Sequence, residues 1–282
     1  MLSMKKEISN SASTALERSV MSKSIKSLLY GIKKEKFIPE IMIGLTAVTF
    51  LLLFVNQIFE KNPYTLLSLY TNNDFSSFFY MILFIAPVTA VLCICRDFDD
   101  RTVYYEISGG ARRKDVFKSR FIPAMIFGTL TLFFAILIPF IIGSFIWGLG
   151  DSSILANVLL RYLLFLLSGI RLTAFACFIS FLIRKSKAAT IILLSSLLCI
   201  STLSIIFKAV DPTALAVTNA FEAITFEYDS TYNIFSSGIA QYSIPITTIS
   251  TAFTVKTIAM SLIFTGVYAF LSWSFFKTDD ME

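Results

Sequence analysis

The feature that limits this chain most is a succession of apolar runs, each about 20 residues or longer and nearly free of charge. At about 1.5 Å of rise per residue, a helix of that length crosses the roughly 30 Å hydrocarbon core of a bilayer. A chain of 282 residues cannot hide so many long apolar faces in water. Hydrophobic residues make up 56% of the chain and charged residues only 15%, where soluble domains average about 25% charged. The mean hydropathy of +0.74 points the same way. The expected fold is an all-α, polytopic membrane protein, which excludes a soluble enzyme, a nucleic-acid-binding domain and a disordered chain. The net charge of +5 is too small to imply a nucleic-acid partner.

Histidine is absent, which removes Ser-His-Asp and Cys-His catalysis and histidine-ligated metal. No catalytic, metal-binding or directly cofactor-binding residue is expected. Cys93, Cys95, Cys177 and Cys199 all fall inside apolar runs, where thiols behave as small hydrophobes, so no disulfide is expected.

Six transmembrane helices are expected, at about 37–59, 76–95, 121–147, 154–183, 188–207 and 255–276. A tail at 1–36 precedes this transmembrane domain of 37–276, and a tail at 277–282 follows it. The first 36 residues are polar and basic, without the apolar core of a signal peptide. Pro87 and Pro139 lie within the second and third runs and read as kinks, because neighbouring helices can satisfy the freed carbonyls. Lysine and arginine set the orientation. Eight lie in residues 1–36, seven in 96–120, three in 184–187 and one after residue 276, against Lys61, Lys208 and Lys256 on the other side. Basic loops stay on the cytoplasmic side during insertion, so both termini are expected there. Leu16, Val20, Ile25, Leu28, Leu29 and Ile32 form a helical stripe opposed by Arg18, Lys23 and Lys26. That pattern predicts an amphipathic helix lying on the inner membrane lipids, with docking on a partner protein as the alternative.

The 96–120 loop carries the most information. Arg101 to Ser108 reads as a short segment broken by Gly109-Gly110, followed by a charged helix feeding the third span. Val103, Tyr104 and Ile107 give it a small apolar face at spacings of three and four. A helix this short is unstable alone and suited to docking on another protein. The alternative is a solvated connector held inside by its charge.

The residue order here resembles the loop between the second and third helices of ABC-2 type transporter permeases. That loop runs acidic-Phe-x-x-Gly-Thr, then a short helix ending in Gly or Pro, then x-x-Arg, then a basic residue about seven positions on. Asp97 and Phe98 match the opening, Thr102 the threonine, Gly110 the break, Arg113 the arginine and Arg120 the later basic residue. Ser108-Gly109-Gly110 resembles the variant in bacitracin and lantibiotic export and immunity permeases. Arg101 stands where glycine is usual, and Asp97 where glutamate is commoner.

The resemblance implies that this short helix couples the membrane subunit to a separate ABC ATPase. Asp97, Phe98, Arg101, Thr102, Val103, Tyr104, Ile107, Gly110 and Arg113 would then form the coupling loop. It implies a working complex of two permease chains and two ATPases, with ATP and Mg bound only by the ATPase. The chain contains no Gly-x-x-x-x-Gly-Lys-Ser/Thr phosphate loop of its own. The function implied is the permease of an ATP-driven exporter of a peptide antibiotic or another amphipathic compound, in a bacterial plasma membrane. The rival readings are an ATP-independent secondary transporter and a non-transporting sensor or scaffold. Neither a repeat nor a central carboxylate supports the first rival.

Arg161 and Arg171 lie inside the fourth run. Arg161 is close enough to its outer end to snorkel to the headgroups, whereas Arg171 is roughly 25 Å down. Arg171 reads either as lining a pathway or a dimer interface, or as satisfied by groups on adjacent helices. Gly169 would permit a bend or a close helix contact beside it. The loop from Lys208 to Thr254 spans 47 residues and carries Leu215, Phe221, Ile224, Phe226, Tyr228, Tyr232 and Phe235. Resemblance implies a re-entrant helical segment there, between the fifth and sixth helices; interfacial aromatic anchoring is the plainer alternative.

Overall fold

The computed structural model describes residues 37–59, 67, 70, 73–149, 155–207, 227–235, 238–246 and 249–278. Helices α1 (Phe37–Phe59), α2 (Asn73–Asp99), α3 (Thr102–Ser108), α4 (Arg113–Trp147), α5 (Leu155–Ile183) and α6 (Ser186–Phe207) are followed by strands β1 (Glu227–Phe235) and β2 (Gly238–Ile246) and by helix α7 (Thr251–Thr278). Every apolar run read from the sequence is helical, as lipid requires of backbone that must satisfy its own hydrogen bonds. Several helices run past the expected ends: α2 continues from Cys95 to Asp99, and α4 begins at Arg113 rather than Phe121. Both helices continue through their prolines, Pro87 in α2 and Pro123 and Pro139 in α4. Gly148, at φ 74°, ends α4 in a conformation that side chains disfavour.

By length and composition α2, α4, α5 and α7 can each cross a bilayer. The chain is therefore a helical, multi-pass membrane protein. Helices α1 and α6 contribute shorter apolar stretches, Pro39–Val55 and Ser186–Cys199.

Helices α2, α4 and α5 contact one another and form the centre of the bundle. Helix α1 packs mainly on α4, α6 on α2 and α5, and α7 on α5. Two glycines set the closeness of α4 and α5. A Cβ on Gly128 would lie 2.5 Å from Thr173 Cγ2 and 3.3 Å from Ala90 Cβ, and one on Gly169 would lie 2.1 Å from Leu132 Cδ2. Gly169 thus serves a close helix contact, one of its two expected uses. The core divides into two clusters. One runs along the bundle through Tyr70, Phe79, Leu83, Phe165 and Leu193, while the other gathers Phe98, Val103, Phe117, Phe181 and Phe276 at one end.

Within the long loop the described residues are extended: β1 and β2 pair antiparallel, with Glu227 opposite Ile246 and Phe235 opposite Gly238. The segment is not helical because it lacks a 3.6-residue apolar period and is rich in Tyr, Thr, Ile and Phe, which favour extended backbone. The fold is a helical bundle, as expected, with the strand pair β1–β2 between α6 and α7. The amphipathic stripe at 16–32 and residues Leu215, Phe221, Ile224 and Phe226 lie outside the described residues.

Candidate functional site

Five helix ends meet where α3 crosses the bundle: the C-terminal ends of α2, α5 and α7 and the N-terminal ends of α4 and α6. The chain reverses between α2 and α3 at Arg101, whose backbone is left-handed at φ 59° and ψ 13°. Glycine is the residue that adopts this shape without cost, and the resemblance places a glycine at this position. Thr102 secures the reversal by donating its hydroxyl to the Asp97 carbonyl at 2.9 Å. Helix α3 is only seven residues long, and its far end is closed by a paired glycine device. Gly110 N–H donates to the Ile107 carbonyl at 3.0 Å and Ala111 N–H to the Glu106 carbonyl at 3.0 Å, with Gly110 at φ 92°. This double bond satisfies carbonyls that a helix end otherwise leaves open, and it needs positive φ at Gly110.

A single guanidinium clamps the three elements together. Arg120, at 4% exposure, reaches from α4 with Nε to Asp97 Oδ2 on α2 at 3.0 Å and with Nη1 to Glu106 Oε2 on α3 at 2.6 Å. Its Nη1 also donates to Ser119 Oγ at 2.7 Å. Charge-assisted bonds to two carboxylates are the strong kind, and here they join residues from three helices. Two further ties run to distant elements. Asp99 accepts the backbone N–H of Ser186 at 3.2 Å and also its hydroxyl, capping the start of α6. Arg113 Nη1 donates to the Lys277 carbonyl at 2.9 Å, at the C-terminal end of α7.

Phe98 is the apolar pivot beneath α3. Its ring meets Tyr104, Phe181 and Phe276 at centroid distances of 6.1 to 6.4 Å, and the Arg184 guanidinium lies 5.5 Å over it. Arg184 is also left-handed, at φ 60°. Among the described residues, Arg101 and Arg184 are the non-glycine positions with positive φ, and both line one groove of about 770 Å³. The groove lies between α3 and the α5–α6 turn, with Tyr104, Tyr105, Ile107 and Ser108 on one wall and Ile183 to Lys185 on the other.

Comparison with protein-family models and with curated proteins finds no match for this chain.

The sequence-read loop residues thus converge, though not as one outward face. Val103 is fully buried in this chain's own core, and Tyr104 and Ile107 are half-buried against the same cluster. The spacing that made them an apolar face turns them inward, because Phe98 and Val116 offer a nearer apolar surface. Tyr105, at 72% exposure, is the large side chain that α3 presents outward, and the periodicity gave no reason to select it. Asp99, Glu106 and Arg184 also escaped the sequence reading. Only the acidic cluster around Asp97 hinted at the first, and Asp99 and Ser186 are 87 residues apart.

Arg161 is 7% exposed and Arg171 is wholly buried, as the reading in which adjacent helices satisfy it also requires. Arg171 faces α7, its guanidinium 6.0 Å from the Phe264 ring centroid.

Proposed function

We propose that this chain is the membrane-spanning permease subunit of an ATP-driven exporter of the ABC-2 type, with α3 as the helix through which a separate ATPase grips it. In this reading α1, α2, α4, α5, α6 and α7 are the six transmembrane helices. Both termini and the α3 end are cytoplasmic, as the concentration of basic residues there favours. The observation that carries the proposal is the clamped α3. An isolated seven-residue helix has no stability of its own. This one is fixed to α2 and α4 by Arg120 and closed by glycines, and it leaves Tyr105 projecting beside an amphipathic groove. That construction suits an element which must transmit force rather than merely connect two helices.

Function then follows from population shift. ATP and Mg bind the ATPase pair, and closure of that pair favours the arrangement of helices that places two α3 segments closer together. A second permease chain completes the pathway, and the cargo is an amphipathic compound, with peptide antibiotics as the leading class. Asp99 and Arg113 extend the grip on α3 to α6 and α7, so that displacement of the knuckle reaches four other helices.

The test uses two exposed groove residues, Tyr105→Asp with Ser108→Asp, in the full chain expressed in its native host, with any phosphate-loop ATPase that copurifies with the wild-type chain as the readout. The expected result is loss of ATPase copurification with unchanged helical circular dichroism and melting temperature. Copurification at the wild-type level would overturn the proposal.

A further inference from the structure

The groove between α3 and the α5–α6 turn, at about 770 Å³, has room for several side chains of another protein. Its walls mix two chemistries. Phe98, Tyr104 and Ile107 supply apolar surface, while Arg101, Arg184 and Lys185 supply positive charge. Asp99 is the one acid among the lining residues. The acids nearby are all engaged elsewhere. Asp97 and Glu106 hold Arg120, Asp100 holds Arg96 at 3.1 Å, and Asp99 caps Ser186. Arg184 donates to the Phe181 carbonyl at 3.3 Å and lies over the Phe98 ring. Arg101 and Lys185, one on each wall, are exposed. Among the described residues neither of these two side chains has an ion-pair or hydrogen-bond partner.

An exposed cation is ordinarily just solvated, so charge alone names no partner. The backbone supplies a second observation. Arg101 and Arg184 are the non-glycine positions of positive φ among the described residues, at 59° and 60°, and both line this groove. A left-handed backbone is costly for a residue with a Cβ, and glycine at either position would remove the cost. Strain of this kind persists at sites where the side chain has a use that outweighs it. Both strained residues are arginines, whose planar fork pairs well with a carboxylate. Within the described chain the Arg101 guanidinium has no such pairing, which points to a group brought from outside.

We propose that this groove receives an acidic, amphipathic segment of a partner protein. Its carboxylates pair with Arg101 and Lys185, and its apolar side chains lie on Phe98, Tyr104 and Ile107. On the permease reading, on which this rests, the partner is the ATPase. Opposite charge fixes the orientation of docking and speeds encounter, while the apolar floor gives a contact that salt does not screen. Lys185 belongs to the α5–α6 turn and Arg101 to the start of α3, so one segment paired with both ties the turn to the knuckle. Motion of the ATPase then reaches α5 and α6 directly as well as through Arg120.

The test uses the full chain in phosphatidylcholine nanodiscs and the phosphate-loop ATPase that copurifies with it from its native host. Affinity, measured at low and at high salt, should fall as salt rises. Arg101→Gly with Lys185→Gln should weaken it about tenfold and flatten that dependence, as loss of two exposed charge pairs does. Arg101→Gly relieves the backbone, so the melting temperature should not drop, which separates lost binding from lost fold. A carbodiimide, which joins a carboxylate to an amine without a spacer, should link Lys185 to an Asp or Glu of the ATPase in mass spectra. Links from Lys185 to Asp279, Asp280 or Glu282, which follow α7, would assign the groove to this chain's own acidic segment. A melting temperature raised by phosphatidylglycerol in the wild type but not in the double variant would assign it to a lipid headgroup. Either result overturns the proposal, as does wild-type affinity in the double variant. If that affinity persists while Tyr105→Asp with Ser108→Asp abolishes binding, the permease reading stands without this docking chemistry. Absence of any copurifying ATPase would remove both.

Discussion

Arg120 and Arg171 are both buried arginines in one small bundle, and their surroundings are opposites. Arg120 lies at the charged end and holds Asp97 and Glu106, carboxylates from two other elements. Arg171 lies in the apolar middle of α5, against an aromatic ring on a helix with no acid. Taking an ion out of water costs several kcal/mol, and a partner of opposite charge offsets that cost only when geometry is good. The chain meets this cost at Arg120 with ion pairs that also fasten three helices. At Arg171 an aromatic ring of the neighbouring α7 lies beside the cation. A buried charge in the first setting joins three helices through carboxylates, and in the second it lies on the seam between two.

The contrast is broken most directly by removing each cation while keeping its volume. Arg120→Met strands two carboxylates and should destabilise the protein by about 3 kcal/mol, at the lower end for a broken buried pair because Glu106 is half exposed. Denaturant titration of the purified chain measures it. Asp99→Ala removes the cap on α6 and should cost about 1 kcal/mol by the same titration, with protease sensitivity appearing first at the α5–α6 turn. Arg101→Gly should act in the opposite direction. Release of the left-handed strain, partly offset by glycine's greater chain entropy, gives a gain of about 0.5–1 kcal/mol. A loss of stability there would show that the arginine side chain holds the knuckle by more than its backbone. Arg171→Met should cost less than Arg120→Met by the same titration, because removal of a buried charge offsets part of the packing lost beside Phe264. If Arg171→Met were as damaging as Arg120→Met, the contrast between the two sites would fail.

The α4–α5 contact offers a separate measure of what packing adds. At Gly169 the obstacle is the end of a leucine, which can turn aside, whereas at Gly128 it is the stiff Thr173 and the Ala90 methyl. Gly128→Ala should therefore be the more damaging of the two alanine substitutions. Nothing in the sequence distinguished these glycines beyond the proximity of Gly169 to Arg171.

Hydropathy alone located the helices, because backbone in lipid must satisfy its own hydrogen bonds, so a long uncharged run has little choice but to coil. The sequence also marked the break at Gly109-Gly110, since positive φ at Gly110 is a local requirement that glycine meets. The strands at 227–235 and 238–246 follow a local preference for extended backbone that overall hydropathy does not register. What tertiary structure alone decided is which face of each helix turns inward. Two positions along α3 separate buried Val103 from exposed Tyr105. The same freedom of rotation and register chose Asp97 and Glu106 for Arg120, Ser186 for Asp99, and Phe264 for Arg171. Those choices depend on how whole helices fit against one another, a property that no stretch of chain carries by itself.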